Sequence, residues 1–160
     1  VVVFAGMLQF LANDEELATV LAHEFAHNIM SHPASTQKSA TLGALLGMAA
    51  DAAARSQGMD TGGQLSRMGA STAILRYSVP YEKEADYVGL YIMHRAGYNI
   101  RLAPMLWRRM SQANPGGIYN STTHPTNAER YVALSKTINE IKSKQKLGME
   151  MLPERHLPGQ

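Results

Sequence analysis

The 160-residue chain has no cysteine. Disulfides and thiolate metal sites are therefore excluded, and any metal must be held by histidine and carboxylate. The lack of cysteine suits any compartment and does not locate the protein. Charge of either sign is also sparse. Fifteen basic residues against thirteen acidic ones leave a formal net charge of +2, too little to argue for nucleic acid or for an anionic surface as partner. There is no internal repeat, no signal peptide and no apolar run long enough to span a bilayer. No initiator methionine is present, and the chain opens mid-pattern on Val1-Val2-Val3-Phe4. A fragment of a longer protein is expected, with its targeting information upstream.

The length is that of one domain with a real core. Val1 to Phe4 reads as a strand by composition, ended by Gly6. As an exposed edge it would pair with an extended substrate, or else be a plain sheet strand. Asn13 reads as an N-cap, with Glu16 three residues on as in a capping box. Leu17, Val20, Leu21, Phe25 and Ile29 follow at helical spacing as the buried side. This helix is expected to reach Met30 or Ser31, with Pro33 closing it. Residues 35–56, rich in Ala, Gly, Leu and Met, predict a helix too short for a membrane span, and contact with a membrane surface is the second reading. The Gly-rich stretch 57–64 is a connection or a lid.

Leu65 to Tyr77 predicts a helix, and Pro80 starts the next, which runs to about Ala96 with Gly97 as its stop. Further helices are expected at 101–113 and from 125 or 126 to about 144, after a polar loop at 118–124. Residues 1–146 form the expected domain. The tail from 147 to 160 is expected to be loose.

The centre of the chain is His23-Glu24-Phe25-Ala26-His27, an H-E-x-x-H pattern. Positions four apart lie on one helix face, so both imidazoles can grip one metal ion. Zinc accepts neutral imidazole in tetrahedral geometry with an open position. Glu24 can reach a water on that metal and take its proton. A third ligand is needed. His32, five after His27, lies off that face and reads as a structural or helix-end residue. The extended pattern H-E-x-x-H-x-x-G-x-x-H fails because Met30 and Pro33 occupy its last two positions. Glu82, on a separate helix, is the candidate. Asp86, one turn on, is placed to accept the spare N–H of a ligand histidine.

HEFAH followed by E-x-E-A-D-x-x-G (Glu82, Glu84, Ala85, Asp86, Gly89) resembles the HtpX heat-shock peptidases, CAAX prenyl proteases and Oma-type peptidases. These make up peptidase family M48 of the gluzincin group. Val2 to Leu8, Ala96-Gly97-Tyr98, Trp107 and the Ser121-Thr-Thr-His124-Pro125 segment with Arg130 extend the likeness over about residues 1–145, the Ala-Gly-Tyr and Trp107 features being those of Oma-type and BepA-type members. The Ser-Arg that many members carry before the third ligand is here replaced by Tyr77-Ser78-Val79-Pro80-Tyr81.

The resemblance implies a mainly α (α+β) gluzincin core with a short β-sheet. It also implies one Zn2+ held by His23, His27 and Glu82, Glu24 as general base and acid, and Asp86 in support. His124 or Arg130 would help the oxyanion, with Tyr119 a weaker candidate. His124 would also be able to bind the metal in a resting state.

The implied activity is a zinc metalloendopeptidase acting on protein or peptide, in quality control of envelope or membrane proteins. The compartment is periplasmic or envelope-associated by analogy, with the mitochondrion as alternative. Two other readings are a zinc-binding, chaperone-like module with little hydrolysis and a hydrolase of non-peptide amides. No nucleic-acid partner is expected, and peripheral membrane association is the second reading.

Overall fold

The computed structural model describes residues 1–113 and 128–154. Among these, every regular element is a helix: α1 (Ala5–Phe10), α2 (Asp14–Ile29), α3 (His32–Ser56), α4 (Gln64–Arg95), a 3-10 turn (Ile100–Leu102), α5 (Ala103–Ala113) and α6 (Ala128–Leu147). The mainly helical expectation holds, but the short β-sheet is not seen. Val1 to Phe4 carry no strand, and Val1, Val2 and Phe4 are exposed. Strand propensity acts through pairing and burial, and no described segment offers either, so the edge-strand reading falls with it. The chain divides into two units, residues 1–30 with 81–160, and residues 31–80.

In the first unit α2 starts as its sequence indicates. The Asn13 side chain accepts the Glu16 N–H at 2.9 Å. The reciprocal bond of the box shifts by one residue, because the Glu16 carboxylate accepts from the Ala12 N–H at 2.8 Å. Glu16 is buried and grips Arg109 of α5, whose other end donates to the Phe10 carbonyl at 2.7 Å. One ion pair thus ties the chain ahead of α2 to α5.

The buried face of α2 is not the expected one. Ala18, Thr19, Ala22, His23 and Ala26 face the core, while Phe25 and Ile29 are exposed. Small side chains win because α4 approaches closely. A Cβ on Gly89 would lie 3.2 Å from the His23 backbone nitrogen and 3.3 Å from the Ala22 carbonyl. The stretch 84–91 of α4 is buried on all sides, as befits the central helix of a unit. It packs with Ile100, Ala103 and Trp107 and with Leu134, Ile138 and Ile141 of α6.

The sequence also misplaces a boundary in α4, which is continuous from Gln64 to Arg95 with Pro80 inside it. Proline removes one i to i−4 bond, and the flanking turns carry the helix through. Helix α4 ends as expected. Gly97 adopts φ +85°, and the Tyr98 N–H reaches back to the Met93 carbonyl at 3.0 Å. Pro33 opens α3 instead of closing α2, after a left-handed Ser31. Beyond α6 the chain folds back. Lys144 reaches the Leu152 carbonyl at 2.5 Å and Glu154 at 2.8 Å, and the Glu154 N–H donates to the Tyr87 hydroxyl at 2.9 Å. Residues 149–154 of the expected tail are therefore held by hydrogen bonds.

The second unit is a helical hairpin. Gly43 and Gly47 of α3 sit against the backbone of Gly69 and Leu65 of α4. The Asp51 carboxylate binds the Thr61 hydroxyl and the N–H groups of Leu65 at 3.2 Å and Ser66 at 3.0 Å. Those three donors, the Thr61 hydroxyl foremost, hold Asp51 below the usual carboxylate range. The Gly-rich stretch is thus the connection of the hairpin, pinned at its end. A Cβ on Gly43 would fall on the Gly69 carbonyl oxygen, and backbone cannot swing aside. Gly43→Val is expected to destabilise the hairpin by about 1–3 kcal/mol, read as faster hydrogen exchange confined to residues 31–80.

Candidate active site

Helix spacing brings His23 and His27 to one face of α2, and Glu82 and Asp86 to one face of α4. The close approach at Gly89 brings these faces together. The Nε2 atoms of His23 and His27 lie 3.0 Å apart. Each Nε2 lies 3.2 Å from a carboxylate oxygen of Glu82. Ligands about 2.05 Å from a tetrahedral zinc stand roughly 3.3 Å from one another. The three side chains therefore fit one zinc ion, and among the described residues they are the group able to hold a metal.

Their surroundings fix them. Nδ1 of His23 meets Asp86 at 3.0 Å, which directs Nε2 toward Glu82 and His27. Burial alone would push the His23 imidazole down, but Asp86 and Glu82 lift it to about 9. Arg130 of α6 is buried and uses all three guanidinium nitrogens. Nε and one terminal nitrogen donate to Asp86 at 2.7 and 2.8 Å, and the other terminal nitrogen reaches Glu82 at 2.8 Å. Burial works against the Asp86 carboxylate, yet Arg130 and His23 hold it below its ordinary value. Arg130 in turn is held charged by Asp86 and Glu82 against its own burial. Its guanidinium lies 4.2 Å from the Trp107 ring centre, and the same ring meets His23 edge-on at 5.2 Å. Glu84 is buried between the two site carboxylates in sequence, and burial raises it to about 7.

The sequence model of peptidase family M48 matches residues 1–138. The chain belongs to peptidase family M48. It is 36% identical over 154 residues to the mitochondrial metalloendopeptidase OMA1 of Saccharomyces cerevisiae, with 88% of this chain and 42% of that protein covered. It is 34% identical to the OMA1 of Schizosaccharomyces pombe, covering 91% and 43%. The beta-barrel assembly-enhancing protease of Escherichia coli is 27% identical, covering 89% and 31%. The chain thus spans less than half the length of these curated relatives. No solved structure matched it.

Of the residues marked by sequence, the fold brings together His23, His27, Glu82, Asp86 and Arg130. Glu24 follows His23 on α2 and is half-buried. His32 is buried as the first residue of α3, in the other unit. His124 and Tyr119 lie outside the described residues. Arg130, a candidate for helping the oxyanion, is buried with its three nitrogens on the Asp86 and Glu82 carboxylates. Sequence reasoning missed the packing role of Trp107. Its signal was slight, the chain's one tryptophan on the helix expected at 101–113.

Proposed function

We propose that the chain is the catalytic portion of a zinc-dependent metalloendopeptidase. The observation that carries this reading is the cluster of His23 Nε2 and His27 Nε2, 3.0 Å apart, with the Glu82 carboxylate, whose two oxygens lie 3.2 Å from one imidazole nitrogen each. Zinc held by these three residues supplies Lewis-acid polarisation of water and of the scissile carbonyl. Glu24 takes the proton of the attacking water and passes it to the departing amine nitrogen. Asp86 keeps His23 in the tautomer that offers Nε2 to the metal, and Arg130 holds Glu82 and Asp86 in place. With Arg130 engaged, His124 is the first candidate to donate to the developing oxyanion, ahead of Tyr119.

The substrate is protein or peptide. The names of the relatives, one mitochondrial and one serving β-barrel assembly, support quality control of envelope or membrane proteins, in a bacterial envelope or a mitochondrion.

The test is zinc content and cleavage of casein. Wild type is expected to bind one zinc and cleave. Glu82→Ala is expected to weaken zinc by at least about tenfold to a hundredfold, because two imidazoles alone remain. Unchanged zinc affinity in that variant would sink the ligand assignment.

A further inference from the structure

The hairpin of residues 31–80 carries its bulk on the outside. Its seam is glycine, with Gly43, Gly47 and Gly69 against facing backbone. Its large apolar side chains point to solvent: Leu42, Leu45, Leu46 and Met48 on α3, and Met68 and Leu75 on α4, are each at least 50% exposed. From Ser39 to Ala50 there is no charged residue. At 100° per residue, Leu45 lies about 180° from the Gly43–Gly47 seam, and Lys38, Leu42 and Ala49 fall within about 60° of it. Lys38 stands at one end of this face and Arg55 near the other, about 26 Å apart at 1.5 Å per residue.

Charge follows the same division. Residues 31–80 hold Lys38, Arg55, Arg67 and Arg76 against Asp51 and Asp60. The whole formal charge of the chain, +2, therefore resides here, and the other unit is balanced. The Asp51 carboxylate is already taken up by the start of α4, and the Asp60 carboxylate lies 3.8 Å from Arg55.

We propose that the outer face of this hairpin docks onto an anionic lipid bilayer, lying in the headgroup region. Among the described residues no helix is long and apolar enough to cross a membrane, so the hairpin lies on the surface. An apolar face flanked by basic residues is what such a surface binds. The glycine seam packs equally well beside lipid, because it rests on contact between backbones. A second copy of the chain fits less well, since it would set basic flanks against each other. The proposal is independent of the metal site.

Flotation of the full chain with vesicles tests it. Binding is expected on phosphatidylcholine containing about 30% phosphatidylglycerol, and not on phosphatidylcholine alone. Leu42→Ser, Leu45→Ser and Leu46→Ser together are expected to lower the bound fraction about tenfold, with helicity by circular dichroism unchanged because all three are exposed. Leu45→Trp provides a second reading free of any folding defect. Its emission should shift to the blue on anionic vesicles, beside a buried Trp107. The proposal is overturned if the chain ignores anionic vesicles, if the triple variant binds as wild type, or if the emission of the Leu45→Trp variant does not move. A solution dimer that the triple variant turns into a monomer would overturn it too, by assigning the face to a second copy.

Discussion

Glu24→Gln is expected to lose a hundredfold to ten-thousandfold in kcat on a quenched-fluorescence peptide while keeping its full complement of zinc. Glutamine has nearly the shape of glutamate but cannot take a proton, and general-base catalysis is worth about that factor. Zinc should stay because His23, His27 and Glu82 are the group able to hold a metal, and Glu24 is outside it. The paired measurement separates three outcomes. Lost activity with zinc retained supports a general base. Activity within about tenfold of wild type would mean that another group removes the proton. Loss of zinc along with activity would make Glu24 part of the metal site. A zinc-binding module without catalysis has no use for this carboxylate, so the variant also separates enzyme from binder.

Arg130→Met is expected to cost about 3–5 kcal/mol of folding stability, a fall in melting temperature on the order of 10 °C. The side chain is about 1% exposed and is a cation bonded to both of two carboxylates that are themselves nearly inaccessible. Removing it leaves Glu82 and Asp86 as like charges in a poorly solvated place. Arg130→Lys should fall between, because one ammonium replaces a planar fork that serves three bonds. Zinc offers a further check. A bound dication restores positive charge beside Glu82, so zinc should recover more stability in Arg130→Met than in wild type. A melting temperature within about 2 °C of wild type for Arg130→Met would show that the clamp contributes little.

The candidate metal group was legible in the linear chain because each half is local. His23 and His27, like Glu82 and Asp86, are one helical turn apart, and helix geometry alone puts each pair on one face. The N-cap at Asn13 and the stop at Gly97 were legible for the same reason. Neighbours in sequence settle both.

Three features were decided only in three dimensions. Helix α2 buries Ala18, Ala22 and Ala26 and exposes Phe25, because what covers a helix face depends on how near its neighbour comes. Gly89 allows α4 to come close, and periodicity cannot see that. Arg130 carries no local sign of being buried, since its two partners lie 44 and 48 positions earlier. The strand at Val1 to Phe4 failed because strands exist only in pairs, and no described segment supplies a partner. Sequence by itself therefore marked His23, His27 and Glu82, the group that could hold a metal ion. Tertiary structure decided what surrounds that group, because burial and long-range ion pairs are properties of contacts between helices.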